Sequence, residues 1–198
     1  MKLTSVLVTH DQVEATTMAD RVALMERGRL EAYDRPVVLY QEPPTQFTAG
    51  FIGELPMNFA EAECDGDGGL RSPALGMTRP ARAGGLASGV PPGPYMLGFR
   101  PEDVDIAQEG GDLEGRIRVI EPMGRQVLYE LLAGETVVRA LGVETPLLEP
   151  DMTVNLSIRW QAAHLFHPES GERVGAKAAA QARPLDGVPG AEEAASGG

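Results

Sequence analysis

The hydrophobic positions fall into two textures along the 198 residues. Up to residue 56, short apolar runs alternate with stretches of helical period. Ser5 to Val8 predicts a short strand, and Asp11 to Asp20 a helix with Asp11 as its cap and Glu14 completing a capping-box-like pair. Arg21 to Met25, a turn at Glu26-Arg27-Gly28-Arg29, and Leu30 to Tyr33 predict a hairpin. Pro36, following Asp34, opens a helix to about Gln41 that Glu42-Pro43-Pro44 stops. Thr45 to Ile52 predicts a further helix, closed by Gly53.

From Met57 the pattern changes to strand-like runs punctuated by glycine and proline, as in a small β domain or barrel. The runs are Asn58 to Cys64, Tyr95 to Phe99, Glu114 to Ile120, Gln126 to Leu132, Thr136 to Ala140 and Thr153 to Arg159. Gly66 to Gly93, rich in Gly, Pro and Ala, predicts a partly mobile loop. Glu121-Pro122-Met123-Gly124 predicts a turn, and Glu130 to Thr136 a hairpin turning at Gly134. After residue 174 the sequence has too few large apolar residues to offset the entropy of ordering, and predicts a disordered tail over 175–198.

Composition narrows the function classes. The formal net charge is −12, without the clustered Lys and Arg that phosphate neutralisation needs, which argues against nucleic acid. Cys64 is the single cysteine, so no intramolecular disulfide or CxxC metal site can form, which fits a reducing compartment. No apolar run approaches the roughly 20 residues that span a bilayer, and a cytoplasmic location is expected.

The first candidate for chemistry is His10. It follows an apolar run and directly precedes a helix, the place where open α/β sheets bind ligands, although a histidine that only packs or caps would sit there equally well. Its surroundings carry more. Thr9-His10-Asp11-Gln12-Val13-Glu14-Ala15 followed by Ala19-Asp20-Arg21 resembles the H-loop run of ABC transporter ATPases of the carbohydrate-importer subgroup, typified by maltose, trehalose and glycerol-phosphate uptake. Gly28 and Arg29, and then Tyr40, Pro43, Phe47, Phe51, Ile52 and Gly53, match the family's hairpin and closing helices. Later runs, "PMNF" from Pro56, "LGFRPEDV" from Leu97, "GRIRVIEPMGRQVLYEL" from Gly115 and "HLFHPESGERV" from His164, resemble the OB-like TOBE barrel that follows that ATPase core.

The resemblance implies an α+β chain: the C-terminal end of an α/β P-loop nucleotide-binding domain over 1–56, then a mostly β OB-like (TOBE) regulatory domain over 57–174. By the same resemblance His10 is the switch histidine that contacts the ATP γ-phosphate. ATP and Mg²⁺ are the family's cofactors. The implied partners are a second ATPase subunit met through the regulatory domain, and permease subunits at the inner face of the plasma membrane.

Phosphoryl transfer also needs a glycine-rich loop ending in Lys-Ser/Thr, a carboxylate for Mg²⁺ and a group that organises water. The sequence has no GxxxxGK[ST], no LSGGQ-type signature and no Asp-Glu pair after an apolar strand. The expectation is therefore that the chain alone neither binds nor hydrolyses ATP. Three origins fit: a truncated gene product, one part of a split ATPase whose N-terminal half is a separate chain, or a module kept for regulation. The alternative function is a free-standing TOBE-like module binding a small oxyanion or a regulatory partner.

Three further sites carry candidate chemistry. His164 and His167 have metal-pair spacing but no third ligand at a suitable distance, so ordinary strand and turn positions are expected. Trp160 continues the alternation of Val154, Leu156 and Ile158 and is expected in the core. Arg100 with Glu102 and Asp103 reads either as a surface cluster or, through the match of Gly98-Phe99-Arg100-Pro101-Glu102 to the family's G-x-R-P-E, as part of the regulatory domain's architecture.

Overall fold

The computed structural model describes residues 4–80, 85–107, 110–142 and 148–175. The expected strand at Ser5 to Val8 does not form. Residues 4–9 form no regular element, and Val6 and Val8 are 84% and 92% exposed. A strand exists only through a neighbour's hydrogen bonds, and none of the described residues supplies one. Helix α1 (Gln12–Met18) follows, capped by Asp11, whose carboxylate accepts from the amides of Val13 and Glu14. The reciprocal half of the capping box is absent: the Asp11 amide donates to Thr9 Oγ1 at 3.0 Å, not to Glu14.

Strands β1 (Val22–Glu26) and β2 (Arg29–Asp34) form the expected hairpin. Both residues of its turn have positive φ, Arg27 at 48° and Gly28 at 79°, the geometry that matches strand twist in a two-residue loop. Helices α2 (Pro36–Gln41) and α3 (Gln46–Phe51) come next, the second capped by Thr45 Oγ1. Leu24, Ala32, Leu39 and Ile52 make a small core between hairpin and helices.

The remaining strands build two antiparallel sheets. One runs β12 (His164–Phe166), β6 (Gly93–Phe99), β3 (Asn58–Cys64), β4 (Leu70–Ser72), β5 (Met77–Arg79). The other runs β10 (Thr136–Gly142), β9 (Gln126–Ala133), β8 (Leu113–Met123), β11 (Thr153–Ile158), β7 (Val104–Ala107). In the second sheet the outer strands β7 and β10 approach each other, so it curls towards closure. The architecture is mostly β with few helices, as expected for an OB-like (TOBE) region. Phe99, Ile117, Tyr129, Leu131 and Leu156, drawn from both sheets, fill one core.

The two sheets are stitched by Asn58, which is 4% exposed. Its Oδ1 accepts from the Arg139 amide at 2.8 Å and its Nδ2 donates to the Arg139 carbonyl at 2.9 Å. The side chain thereby serves the outward-facing backbone of edge strand β10 as another strand would.

Two expectations for the β region need correction. The stretch from Gly66 to Gly93 contains β4 and β5, and it places Leu70, Leu75, Met77, Ala87 and Val90 in the core. Its spaced apolar residues are anchors, and the glycines between them serve the turns. Glu121 to Met123 belong to β8, and the reversal to β9 falls at Gly124 and Arg125. Of the tail expected at 175–198, residues 176–198 lie outside the described residues.

Candidate functional site: the His10 loop and its anchorage

His10 lies at an exposed bend just before α1. Its loop is held at one point. Gln12 Oε1 accepts from the Gly53 amide at 3.2 Å, and among the described residues this is the only hydrogen bond joining α1 to another element. A seven-residue helix with no buried residue has little intrinsic stability, so that anchor carries weight.

Immediately next to Gly53 lies a buried polar side chain with three partners. Arg100 is 3% exposed. Its Nη1 donates to the Ile52 carbonyl at 2.9 Å, its Nη2 to the Tyr40 carbonyl at 2.8 Å, and its guanidinium stands 3.7 Å from the Tyr40 ring centroid. Tyr40 lies in the last turn of α2 and Ile52 caps α3, where helices leave carbonyls without partners of their own. One planar fork from the β domain thus satisfies two helix ends. No carboxylate among the described residues lies within ion-pair distance of Arg100. Burial lowers its pKa to about 10, opposed by the charge of Asp103, and at neutral pH it remains a cation. The surface-cluster reading of Arg100 is therefore wrong.

Glu102 and Asp103 form a different group. Arg159 pairs with Asp103 at 3.3 Å and with Asp105 at 3.6 Å, and its Nη2 also reaches the Glu102 carbonyl. Burial raises the pKa of both carboxyls, more than Arg159 lowers it. A second tie to the N-terminal elements comes from Arg173, whose amide donates to the Pro44 carbonyl at 2.9 Å and whose Nε donates to the Pro43 carbonyl at 3.0 Å.

The other histidines occupy strand and turn positions. His164 sits in β12, where burial, then the positive charges of Arg173 and Arg100, push its pKa down to about 4. His167 packs its ring 5.6 Å from that of Tyr95. Trp160 lies beyond the end of β11, in a turn, and only partly enters the core. The strand alternation therefore does not extend to it; the guanidinium of Arg79 stands 4.4 Å from its ring centroid. Cys64 is buried, which together with the neighbouring Asp65 charge holds its thiol up to about 11.

The described residues do not fit a whole nucleotide. His10 offers one side chain to a γ-phosphate, but no glycine-rich loop ending in Lys-Ser/Thr stands with it, and no cluster of three metal-ligating side chains occurs among the described residues. A groove of about 590 Å³ runs along Gly110 to Arg116 and past Thr153. Asp112, Glu114 and Arg116 are among its lining residues, and Asp112 Oδ2 accepts from the Ile158 amide at 2.8 Å. Among the described residues no helix is long and apolar enough to cross a membrane.

Sequence comparisons agree with the geometry. Residues 97–166 match the family model described as TOBE domain. The chain is 37% identical over 177 residues to an uncharacterized ABC transporter ATP-binding protein of Sinorhizobium fredii, covering 88% of this chain and 46% of that protein. It is 38% identical over 189 residues to the sn-glycerol-3-phosphate import ATP-binding protein UgpC of Chromobacterium violaceum, covering 90% of this chain and 48% of that one. The chain is similar to the C-terminal, TOBE-containing region of ABC transporter ATP-binding proteins. It spans about half the length of the curated relatives it matches. Within the TOBE region the match takes in Arg100, Asn155 and His164 but begins after Asn58.

Gln12, Tyr40, Gly53 and Arg100 each fall in a separate run of the sequence. Nothing local signals that they meet, since the hydrogen bonds joining them cross 41, 48 and 60 residues.

Proposed function

We propose that the chain supplies the H-loop and the TOBE regulatory domain to an ATP-binding subunit of a carbohydrate ABC importer. The transported class is argued from relatives named for sn-glycerol-3-phosphate import. In this reading residues 1–56 are the closing part of the nucleotide-binding domain, 57–174 the regulatory domain and 175–198 a tail. His10 contacts the γ-phosphate of ATP only when the phosphate loop, signature and Mg²⁺-binding carboxylate are brought to it by residues outside these 198. The second ATPase subunit and the permease are the partners, at the inner face of the plasma membrane.

The observation that carries this reading is the segment before His10. Val6, Leu7 and Val8 are apolar and 84%, 56% and 92% exposed, just ahead of the candidate histidine. Three such residues in water are disfavoured by roughly 25 cal/mol for each Å² left uncovered, and a strand-like run with both faces bare fits a sheet whose other strands lie elsewhere.

Reconstitution tests the proposal. The chain is mixed with a separately produced ATPase portion carrying Walker A, signature and Walker B, and ATP turnover is measured. Turnover is expected only in the mixture, falling by roughly 10²-fold or more in His10→Ala. Turnover by the chain alone, or a mixture indifferent to His10, would refute it.

A further inference from the structure

We propose that Arg100 is a positioning residue for the His10 loop, transmitting the placement of the β domain to α1 through Ile52, Gly53 and Gln12. The linkage stands on geometry alone; its consequence for ATP rests on the function proposed above. Each step is a hydrogen bond or a covalent neighbour. Arg100 Nη1 holds the Ile52 carbonyl at 2.9 Å, and that carbonyl and the Gly53 nitrogen belong to one planar peptide unit. The same unit's N–H is the donor to Gln12 Oε1 at 3.2 Å. A rotation of this peptide therefore lengthens both bonds together, so the guanidinium and the Gln12 amide grip opposite ends of one rigid plate.

Three features keep the plate in place. Arg100 cannot drift, because its second nitrogen is held by Tyr40 and its face by the Tyr40 ring. Gly53 has φ 136°, and a Cβ there would lie 2.9 Å from Arg100 Nη1 and 3.3 Å from Tyr40 Cε2. The backbone can thus approach the guanidinium only as glycine. At the far end α1 has no other hydrogen bond to a neighbouring element among the described residues, so what moves Gly53 moves the helix that begins two residues after His10.

The test is a double-mutant cycle read by amide hydrogen exchange on the ¹⁵N-labelled full chain. Arg100→Lys keeps the charge but loses the fork. It should speed exchange at Gly53 and across α1 by roughly tenfold, the effect of one charge-assisted hydrogen bond, while Leu156 and Ile158 in β11 stay protected. Gln12→Ala should speed α1 and leave the protein's melting temperature near that of the parent. In the Gln12→Ala background, Arg100→Lys should add nothing further at α1. Tyr40→Leu, which removes the ring but keeps the carbonyl, should give a weaker version of the Arg100→Lys pattern. Equal acceleration of α1 and β11, or full additivity at α1, would overturn the linkage. Absence of reconstituted ATPase activity would refute the proposed function and leave these exchange results to stand or fall independently.

Discussion

The guanidinium of Arg100 stacks 3.7 Å from the ring of Tyr40 while donating a 2.8 Å hydrogen bond to that residue's own carbonyl. One side chain reads both the ring and the backbone of a residue 60 positions away, and with Ile52 as its second acceptor it closes the ends of two helices. Such a contact is specific to arginine, since an ammonium can neither fork nor stack as a plane. It also explains how a buried cation is tolerated without a carboxylate: two carbonyl dipoles and a π face replace its water.

Replacing Arg100 by Met is expected to destabilise the chain by about 1–3 kcal/mol. Two carbonyls lose their partner, and the relief of burying a charge offsets only part of that. Urea unfolding monitored at Trp160 and by far-ultraviolet circular dichroism provides the measurement. A midpoint unchanged from the parent would contradict the role given to this side chain.

Two glycines with positive φ separate strain from space. Gly28 has φ 79° and nothing within 4 Å of an added Cβ, so Gly28→Ala should cost about 1 kcal/mol, from backbone conformation alone. Gly53→Ala adds close approaches to Arg100 and Tyr40 and should cost about 2 kcal/mol more. Thermal melting of the two variants side by side checks the order; similar losses in both would mean that the Gly53 contacts are easily relieved.

Asn58→Leu should cost about 2–3 kcal/mol, because both the amide and the carbonyl of Arg139 lose their partner at once. Asn58→Asp keeps an acceptor but no donor, and buries a charge. It should be no better at neutral pH and should recover on acidification as the carboxyl takes up a proton. Denaturant midpoints at two pH values distinguish the pair.

His164 introduces a pH dependence of definite sign. Its folded pKa, near 4, lies below the ordinary value of roughly 6.5, so the unfolded chain binds the extra proton first. The stability due to neutral His164 is complete above about pH 6.5 and is lost as pH falls towards 4. Glu102 and Asp103, whose pKa values are raised by burial, act in the opposite sense, since folding favours their protonated forms. The His164 contribution is therefore read as a difference: His164→Asn should flatten the fall in melting temperature between pH 7 and pH 4 relative to the parent. Parallel curves would exclude a buried neutral imidazole.

Legibility divided along the range of the interactions. The hairpin of β1 and β2, the Asp11 cap and the strands β3, β6, β8, β9, β10 and β11 were readable because turns, caps and alternation are settled by residues a few positions apart. The Ser5 to Val8 strand failed for the complementary reason. Its apolar run is real, but a strand needs a partner, and hydrophobicity alone does not supply one. The Gly, Pro and Ala content of Gly66 to Gly93 predicts a partly mobile loop, although Leu70, Leu75 and Met77 within it anchor short strands and turns.

The sequence by itself determined the element types, the β-rich second half and the motif around His10, all properties of neighbouring residues and their conformational preferences. Only the tertiary structure decided that Arg100 is buried, that Asn58 completes the edge of β10, and that one peptide plane joins Gln12 to the β domain. Those contacts span 41 to 81 residues. Their geometry exists only after two sheets have closed on a common core, which no local pattern encodes.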